Sequence, residues 1–264
     1  MTASIGGQCL RADMQTRPDM QTTQDAFLGG RLRLHQPAEG YRAGQDPVLL
    51  AAATPIRPGQ DFVDIGCGVG TLGLSLFARL GRSAIQGMGV EQDADLASLA
   101  RANAQENDVQ AYEICQGDVF TLLPQPKAWV LSNPPFFASG TGRVPSHAQR
   151  LRGRHGDVPI AAWVQQMKSW VRPRGYMGLI LNTPQVQDVM AALRPDFGGL
   201  TLVPLLGNKT KPIAERCLLF ARQGSRSPFQ LAAPLIIRGD GGDLTPQAQG
   251  ILGQGAAWNL PKIK

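Results

Sequence analysis

The chain has 264 residues, of which 43% are hydrophobic and 17% charged, and a formal net charge of +6. That length can bury a sizeable core in one large domain, and no apolar run reaches the roughly 18 residues that a membrane span needs. An excess of arginine and lysine over few acids suits a polyanionic partner, and four scattered cysteines (Cys9, Cys67, Cys115, Cys217) with no C-x-x-C pair imply neither a disulfide framework nor a metal site.

Residues 1–24 are polar and aperiodic, and they lack the apolar stretch of a secretory signal. They read as a disordered leader of a cytoplasmic protein, ahead of a single domain over residues 25–264 with an N-terminal hairpin and a C-terminal extension. Alternation around Gly29-Gly30 predicts that hairpin over residues 27–34. Asp46-Pro47 reads as an N-cap and first helical residue, opening a helix through Ala53 and leaving residues 41–46 as an ordered loop. The periodicity then predicts a strand at 62–65, a helix at 71–80, a strand at 84–91 and an alanine-rich helix at 93–107. Strands at 112–115 and 128–132 follow. A helix at 159–171 carries Trp163, Met167, Trp170 and Val171 as a core stripe. A strand at 175–181, a helix at 186–193, an antiparallel closing pair at 200–206 and 216–220, and a strand at 229–237 complete the pattern. A turn at 239–242, a short helix and a basic tail (Lys262, Lys264) end it. Alternating strands and helices predict an α/β fold, its sheet mostly parallel with helices on both faces.

The run Phe62-Val63-Asp64-Ile65-Gly66-Cys67-Gly68-Val69-Gly70 passes from an apolar stretch through an acid into a glycine-rich turn, and a helical pattern starts at Thr71. That strand, loop and helix open a nucleotide-binding α/β domain. Two cofactor classes use such a loop. Gly68-Val69-Gly70-Thr71-Leu72-Gly73 matches the G-x-G-x-x-G pattern of dinucleotide binders, which alone is a weak signal. Asp64 before Gly66-x-Gly68-x-Gly70 resembles motif I of the class I S-adenosylmethionine (SAM) methyltransferases, where the acid helps hold the ammonium end of the cofactor. The remaining possibility is a strand-turn-helix with no ligand. Glu91, ending a second apolar run, falls where an acid takes both ribose hydroxyls in either class. Asp118 ends a third run, where these methyltransferases contact the adenine amino group.

Asn133-Pro134-Pro135-Phe136, at the end of a fourth strand, is the most specific signal in the chain, and a dinucleotide dehydrogenase has no use for it. An exocyclic amine on adenine is a poor nucleophile because its lone pair is delocalised into the ring. Two acceptors for its two hydrogens would turn the lone pair toward a methyl donor. The Asn133 side-chain carbonyl and the Pro134 backbone carbonyl can supply them, on a backbone stiffened by two prolines. Phe136 offers a face to stack the base, worth about 1–3 kcal/mol. Neither a metal nor a strong general base is required. Glutamine amides and the guanine amino group suit the same motif.

The run Gly40-Tyr41-Arg42-Ala43-Gly44-Gln45-Asp46-Pro47-Val48-Leu49-Leu50, then motif I, then Asn133-Pro134-Pro135-Phe136, resembles the bacterial adenine-N6 methyltransferases that modify the adenine beside the anticodon of valine tRNA. The likeness spans roughly residues 25–222. It implies a Rossmann-like class I methyltransferase sheet and SAM as cofactor. It implies cofactor contacts at Tyr41, Arg42, Gly44, Asp46, Asp64, Gly66, Cys67, Gly68, Gly70, Glu91, Gln92, Asp118, Val119 and Asn133, and target binding at Asn133, Pro134, Pro135 and Phe136. Phe136 departs from the commoner tyrosine of the motif, keeping the stacking face and losing a hydroxyl. Arg143, Arg150, Arg152 and Arg154 form an acid-free cluster just beyond the motif, and Lys209 and Lys211 lie on the closing hairpin. These six are the candidate phosphate contacts to RNA, with a solvated loop as the alternative. Three rival readings remain. A guanine-N2 rRNA methyltransferase would share the motif. A glutamine-N5 protein methyltransferase would be expected to carry a helical N-terminal recognition domain, and the residues ahead of motif I show no helical-bundle pattern. A non-catalytic SAM-binding RNA chaperone would have lost the Asn-Pro-Pro-Phe motif.

Overall fold

Apolar runs ending in glycine turns build a nine-stranded mixed sheet, seen in a computed structural model that describes residues 20–40, 42–134 and 158–260. Its strands are β3 (Asp61–Ile65), β4 (Gln86–Glu91), β5 (Tyr112–Gln116), β6 (Lys127–Ser132), β7 (Val171–Asn182), β8 (Phe197–Asn208), β9 (Arg216–Gln223), β10 (Gln230–Leu231) and β11 (Leu235–Arg238). The order is β10-β8-β9-β7-β6-β3-β4-β5, with β11 also on β8. Strands β5, β4, β3, β6 and β7 run parallel, while β9 is antiparallel to both β7 and β8. A separate hairpin pairs β1 (Thr22–Phe27) with β2 (Leu32–Pro37).

Alternation along the strands sends side chains to two cores. Phe62, Trp129, Leu131, Ile180 and Phe220 join the core that also holds α1 (Asp46–Ala53), α2 (Thr71–Leu80), α3 (Ala94–Glu106), α6 (Pro246–Gln254) and the hairpin. Val63, Val130, Leu179, Leu181 and Leu219 join the other, with α4 (Ile160–Ser169) and α5 (Val186–Leu193). Helices therefore cover both faces, as the alternating pattern requires.

The structure shifts several boundaries. Strand β1 starts at Thr22, inside the stretch read as a leader. Helix α1 starts at Asp46 itself, with Gln45 in the capping position, because the Asp46 carboxylate turns to Arg216 on β9 instead of capping. Val171, read as helical, opens β7 by pairing with Lys127. The strand expected over residues 229–237 splits into β10 and β11 around Pro234, which has no N–H for the ladder. Cys67 and Cys217 are free thiols, but Cys115 is disulfide-bonded, which the scattered spacing does not signal. Among the described residues no helix is long and apolar enough to cross a membrane.

Tyr112 is the hinge-pin of the packing beneath the glycine-rich loop. Its ring lies 5.8 Å from Phe62 and 5.7 Å from Phe77. Gly73 makes room for it inside α2, where an added Cβ would sit 2.4 Å from the Tyr112 ring. Helix propensity alone would favour Gly73→Ala by about 1 kcal/mol. Overpacking against a buried ring costs about 1–3 kcal/mol and should win. The expected outcome is a lower urea midpoint for Gly73→Ala; a raised midpoint would contradict this packing.

Candidate cofactor and active site

Strands β3, β4 and β5 end at one level, with Ile65 beside Val90 and Val90 beside Cys115. From β3 the chain winds outward through β4 to β5, then returns to place β6 on the other flank of β3. The crevice at the carboxyl ends of such a switch point is where open α/β sheets take ligands. Gly66, Glu91, Asp118 and Asn133 all stand at that edge, just at or beyond the ends of β3, β4, β5 and β6.

The loop of residues 66–70 crosses the crevice with φ of +73° at Gly66, +56° at Gly68 and +87° at Gly70, angles that favour glycine. It is tied down from several directions. The Gly66 and Cys67 N–H groups donate to the Val90 carbonyl at 2.8 and 3.0 Å. The Gly68 N–H donates to Glu91 Oε2 at 2.8 Å, and the Asp93 N–H to Glu91 Oε1 at 2.9 Å. Asn103 Nδ2 donates to the Val69 carbonyl at 3.0 Å. Trp163 closes the far side: a Cβ on Gly66 would lie 3.3 Å from its ring. Its Nε1 donates to Ser132 Oγ at 3.1 Å, which in turn donates to the Ile65 carbonyl at 2.7 Å. The Cys67 side chain is buried, with its Sγ beside Gly89 and its thiol pushed up by burial, so its backbone alone faces the loop's business.

Asp64 is 1% exposed and sits under this loop, where the Tyr112 hydroxyl donates to Oδ2 at 3.3 Å. Burial pushes its carboxyl from 3.8 up to about 7; the Tyr112 hydroxyl and the Gly73 N–H oppose the rise, and Glu91 adds to it. Glu91 is 8% exposed and also raised by burial, against the N–H groups of Asp93 and Gly68. Neither acid has a cation partner among the described residues. Two unpaired buried carboxylates oppose a pyrophosphate and favour a ligand carrying positive charge.

Asn133 follows β6 directly, and its Oδ1 is buried without a hydrogen-bond partner among the described residues. Such an acceptor is costly unless a ligand completes it. Pro134 beside it is buried. Thr71 Oγ1, on the first turn of α2, is likewise buried and unpartnered. Asp118 forms a tight turn: its Oδ1 accepts the Phe120 N–H at 2.9 Å, and its carbonyl accepts from Thr121 and Leu122. Buried Val119 accepts Gln166 Nε2 at 2.6 Å, which fixes that turn to α4. Gln92 is half-buried between Glu91 and the N-cap Asp93.

In the segment before α1 the charged side chains engage other parts of the protein. Arg42 reaches Asp25 at 2.6 Å and Thr23 Oγ1 at 2.8 Å on the hairpin, and Asp46 pairs with Arg216. Gly44 is exposed. Lys209 and Lys211 are exposed but paired, with Asp240 at 3.7 Å and Glu215 at 2.9 Å. Tyr41, Pro135, Phe136, Arg143, Arg150, Arg152 and Arg154 lie outside the described residues.

A profile of the Methyltransferase small domain family matches residues 46–151. The chain is 30% identical over 210 residues to the tRNA1(Val) (adenine(37)-N6)-methyltransferase of Dickeya chrysanthemi, an alignment covering 75% of this chain and 81% of that one. The enzyme of the same name from Shewanella sp. is 27% identical over 218 residues, covering 79% and 89%. The chain belongs to the methyltransferase small-domain family. Its fold matches a solved predicted O-methyltransferase from Agrobacterium tumefaciens with a TM-score of 0.66 at 24% identity, over 81% of this chain and 98% of that one. A SAM-dependent O-methyltransferase from Thermotoga maritima gives 0.52 at 16% identity, over 72% and 68%. At such identities the likeness is one of fold.

The cofactor of this methyltransferase is SAM, and the residues present fit it. A neutral glycine loop over two buried, unpaired acids accommodates a ligand with ammonium and sulfonium charges better than a dinucleotide. Sequence reasoning missed the parts of the methyltransferase that hold this loop: Tyr112, Ser132, Trp163 and Asn103. Gly73 in a helix and Gly87 and Gly89 in a strand were the available signal for Tyr112, since a Cβ at each would meet its ring or hydroxyl within 2.9 Å.

The Asp64 carboxyl, raised in the folded state, contributes stability that is full below its unfolded pKa of about 4 and lost as pH rises through about 7. Asp64→Asn removes that titration. In SAM-free protein, the thermal midpoint of Asp64→Asn should therefore gain on the wild type between pH 5 and pH 8. Parallel midpoint curves over that range would contradict the buried, neutral-prone acid.

Proposed function

We propose that this methyltransferase modifies the exocyclic amine of an adenine in RNA, most specifically in tRNA. The observation that carries the reading is the buried Oδ1 of Asn133, just past β6, which has no hydrogen-bond partner among the described residues. The curated relatives named tRNA1(Val) (adenine(37)-N6)-methyltransferase support adenine and tRNA as the target.

SAM supplies, when bound, a methyl group on a sulfonium sulfur. The backbone of residues 66–70 would hold its methionine end, Glu91 its ribose hydroxyls and Asp118 its adenine amino group. Asn133 Oδ1 and the Pro134 carbonyl accept the two amine hydrogens of the target. That turns the nitrogen lone pair out of conjugation and toward the methyl. Holding the reactants in line contributes several kcal/mol. As the new N–C bond formed, the methyl C–S bond would break with its electron pair left on sulfur as a neutral thioether; the nitrogen's surplus proton would then pass to water, so no general base is needed. Phe136 stacks the target base, which has already given up a few kcal/mol of stacking in the RNA.

Asn133→Ala should keep affinity for S-adenosylhomocysteine within a few fold and lower single-turnover methyl transfer about 10²–10³-fold, the usual loss for one preorganised polar group. Phe136→Ala should weaken base capture instead. The substrate is an RNA hairpin with an unpaired adenine, compared with inosine at the same place, which lacks the amine. Methylation of inosine at the rate of adenine, or a wild-type rate for Asn133→Ala, would overturn the chemistry.

The reading also gives Arg150, Arg152 and Arg154 a place on the RNA backbone. Changing all three to alanine should raise the RNA dissociation constant and flatten its logarithmic dependence on salt by roughly 0.7–0.9 per lost phosphate contact. An unchanged slope would leave them as solvated charge.

A further inference from the structure

One edge of β2 is taken by β1, and the other would present bare peptide groups to the body of the molecule. Two asparagines of the α3 region fill it. Asn103 Oδ1 accepts the His35 N–H at 2.7 Å, and Nδ2 donates to the His35 carbonyl at 3.0 Å. Asn107, just past the end of α3, treats Arg33 the same way, at 3.1 and 2.8 Å. Each side-chain amide does what a peptide group of a neighbouring strand would do. The spacing permits it: four helical residues advance about 6 Å, and two strand residues about 6.6 Å. The helix stands in for a third strand.

The two asparagines differ in their second amide hydrogen. In Asn107 it goes to the Asn103 carbonyl at 2.8 Å, inside the helix. In Asn103 it goes to the Val69 carbonyl at 3.0 Å, in the SAM loop. Asn103 is wholly buried, and its three contacts use both hydrogens and the oxygen. Glu91 grips the loop by the Gly68 N–H, and Asn103 grips it one residue on by a carbonyl. The hairpin in turn carries the segment before α1, since Gln36 Oε1 accepts the Ala43 N–H at 2.7 Å.

We propose that Asn103 is a positioning residue that couples docking of the β1–β2 hairpin to SAM binding by the loop of residues 66–70. The inference rests on SAM being the cofactor. Coupling of this kind is reciprocal: a docked hairpin raises ligand affinity, and ligand tightens the hairpin by the same factor.

Two measurements on the full chain test it, with S-adenosylhomocysteine as the probe. Calorimetry on Asn103→Ala should show a dissociation constant raised about five- to tenfold, the size of one hydrogen bond. Asn107→Ala, which loosens the same strand without touching the loop, should change it less than about threefold. Hydrogen exchange on the wild type should show slower exchange at the Arg33 and His35 amides when the probe is bound. Equal losses in both variants, or wild-type affinity in Asn103→Ala, would reduce Asn103 to a structural anchor and overturn the proposal. Should Asn103→Ala fail to fold, the wild-type exchange decides: unchanged protection on binding overturns it. Failure of the wild type to bind the probe at all would instead count against the SAM reading.

Discussion

The site depends on two carboxylates buried without a cation. Asp64 and Glu91 sit beneath and beside one glycine loop, and nothing among the described residues neutralises either. A buried charge is tolerated only when it is protonated, hydrogen-bonded or paired. Asp64 moves toward the protonated form, while Glu91 is satisfied by backbone N–H groups. The negative potential that remains makes this Rossmann-like crevice a seat for a cationic cofactor. A dinucleotide brings a pyrophosphate to the same place and would meet repulsion. Gly73 completes the G-x-G-x-x-G pattern, yet its room is filled by the Tyr112 ring.

The chemistry proposed at the other end of the crevice depends on position more than on acid–base strength. Asn133 emerges from β6 next to the loop that ends β3, on a frame tied by the Trp163–Ser132–Ile65 chain of hydrogen bonds. A carbonyl buried there without a partner among the described residues costs stability in the free protein. In the proposed reaction that cost would be returned when a planar amine docks, and the energy would go into orienting the nucleophile. The proposed reaction needs no titrating base, and it leaves the perturbed acids to the cofactor seat.

The alternation of strands and helices, the hairpin, the glycine loop and the closing antiparallel strands were legible because each rests on local pattern: period two, period 3.6, or a glycine turn. The helix at residues 71–80 and that at 186–193 fall where periodicity placed them. What was not legible involves partners distant in sequence. Asp46 looked like a cap because Arg216, 170 residues away, is invisible to local reasoning. The resemblance gives Arg42 to the cofactor, while its partner Asp25 lies on a strand that starts five residues before the hairpin expected from residue 27. Asn103 and Asn107 lie in an alanine-rich helical pattern that carries no local sign of β2, against which the fold sets them.

The most direct measurement of the central claim is mass analysis of nucleosides from tRNA and rRNA of cells with and without this protein. The account predicts loss of N6-methyladenosine from tRNA alone when the protein is absent. Unchanged N6-methyladenosine in tRNA, or loss of N2-methylguanosine from rRNA in its place, would contradict it.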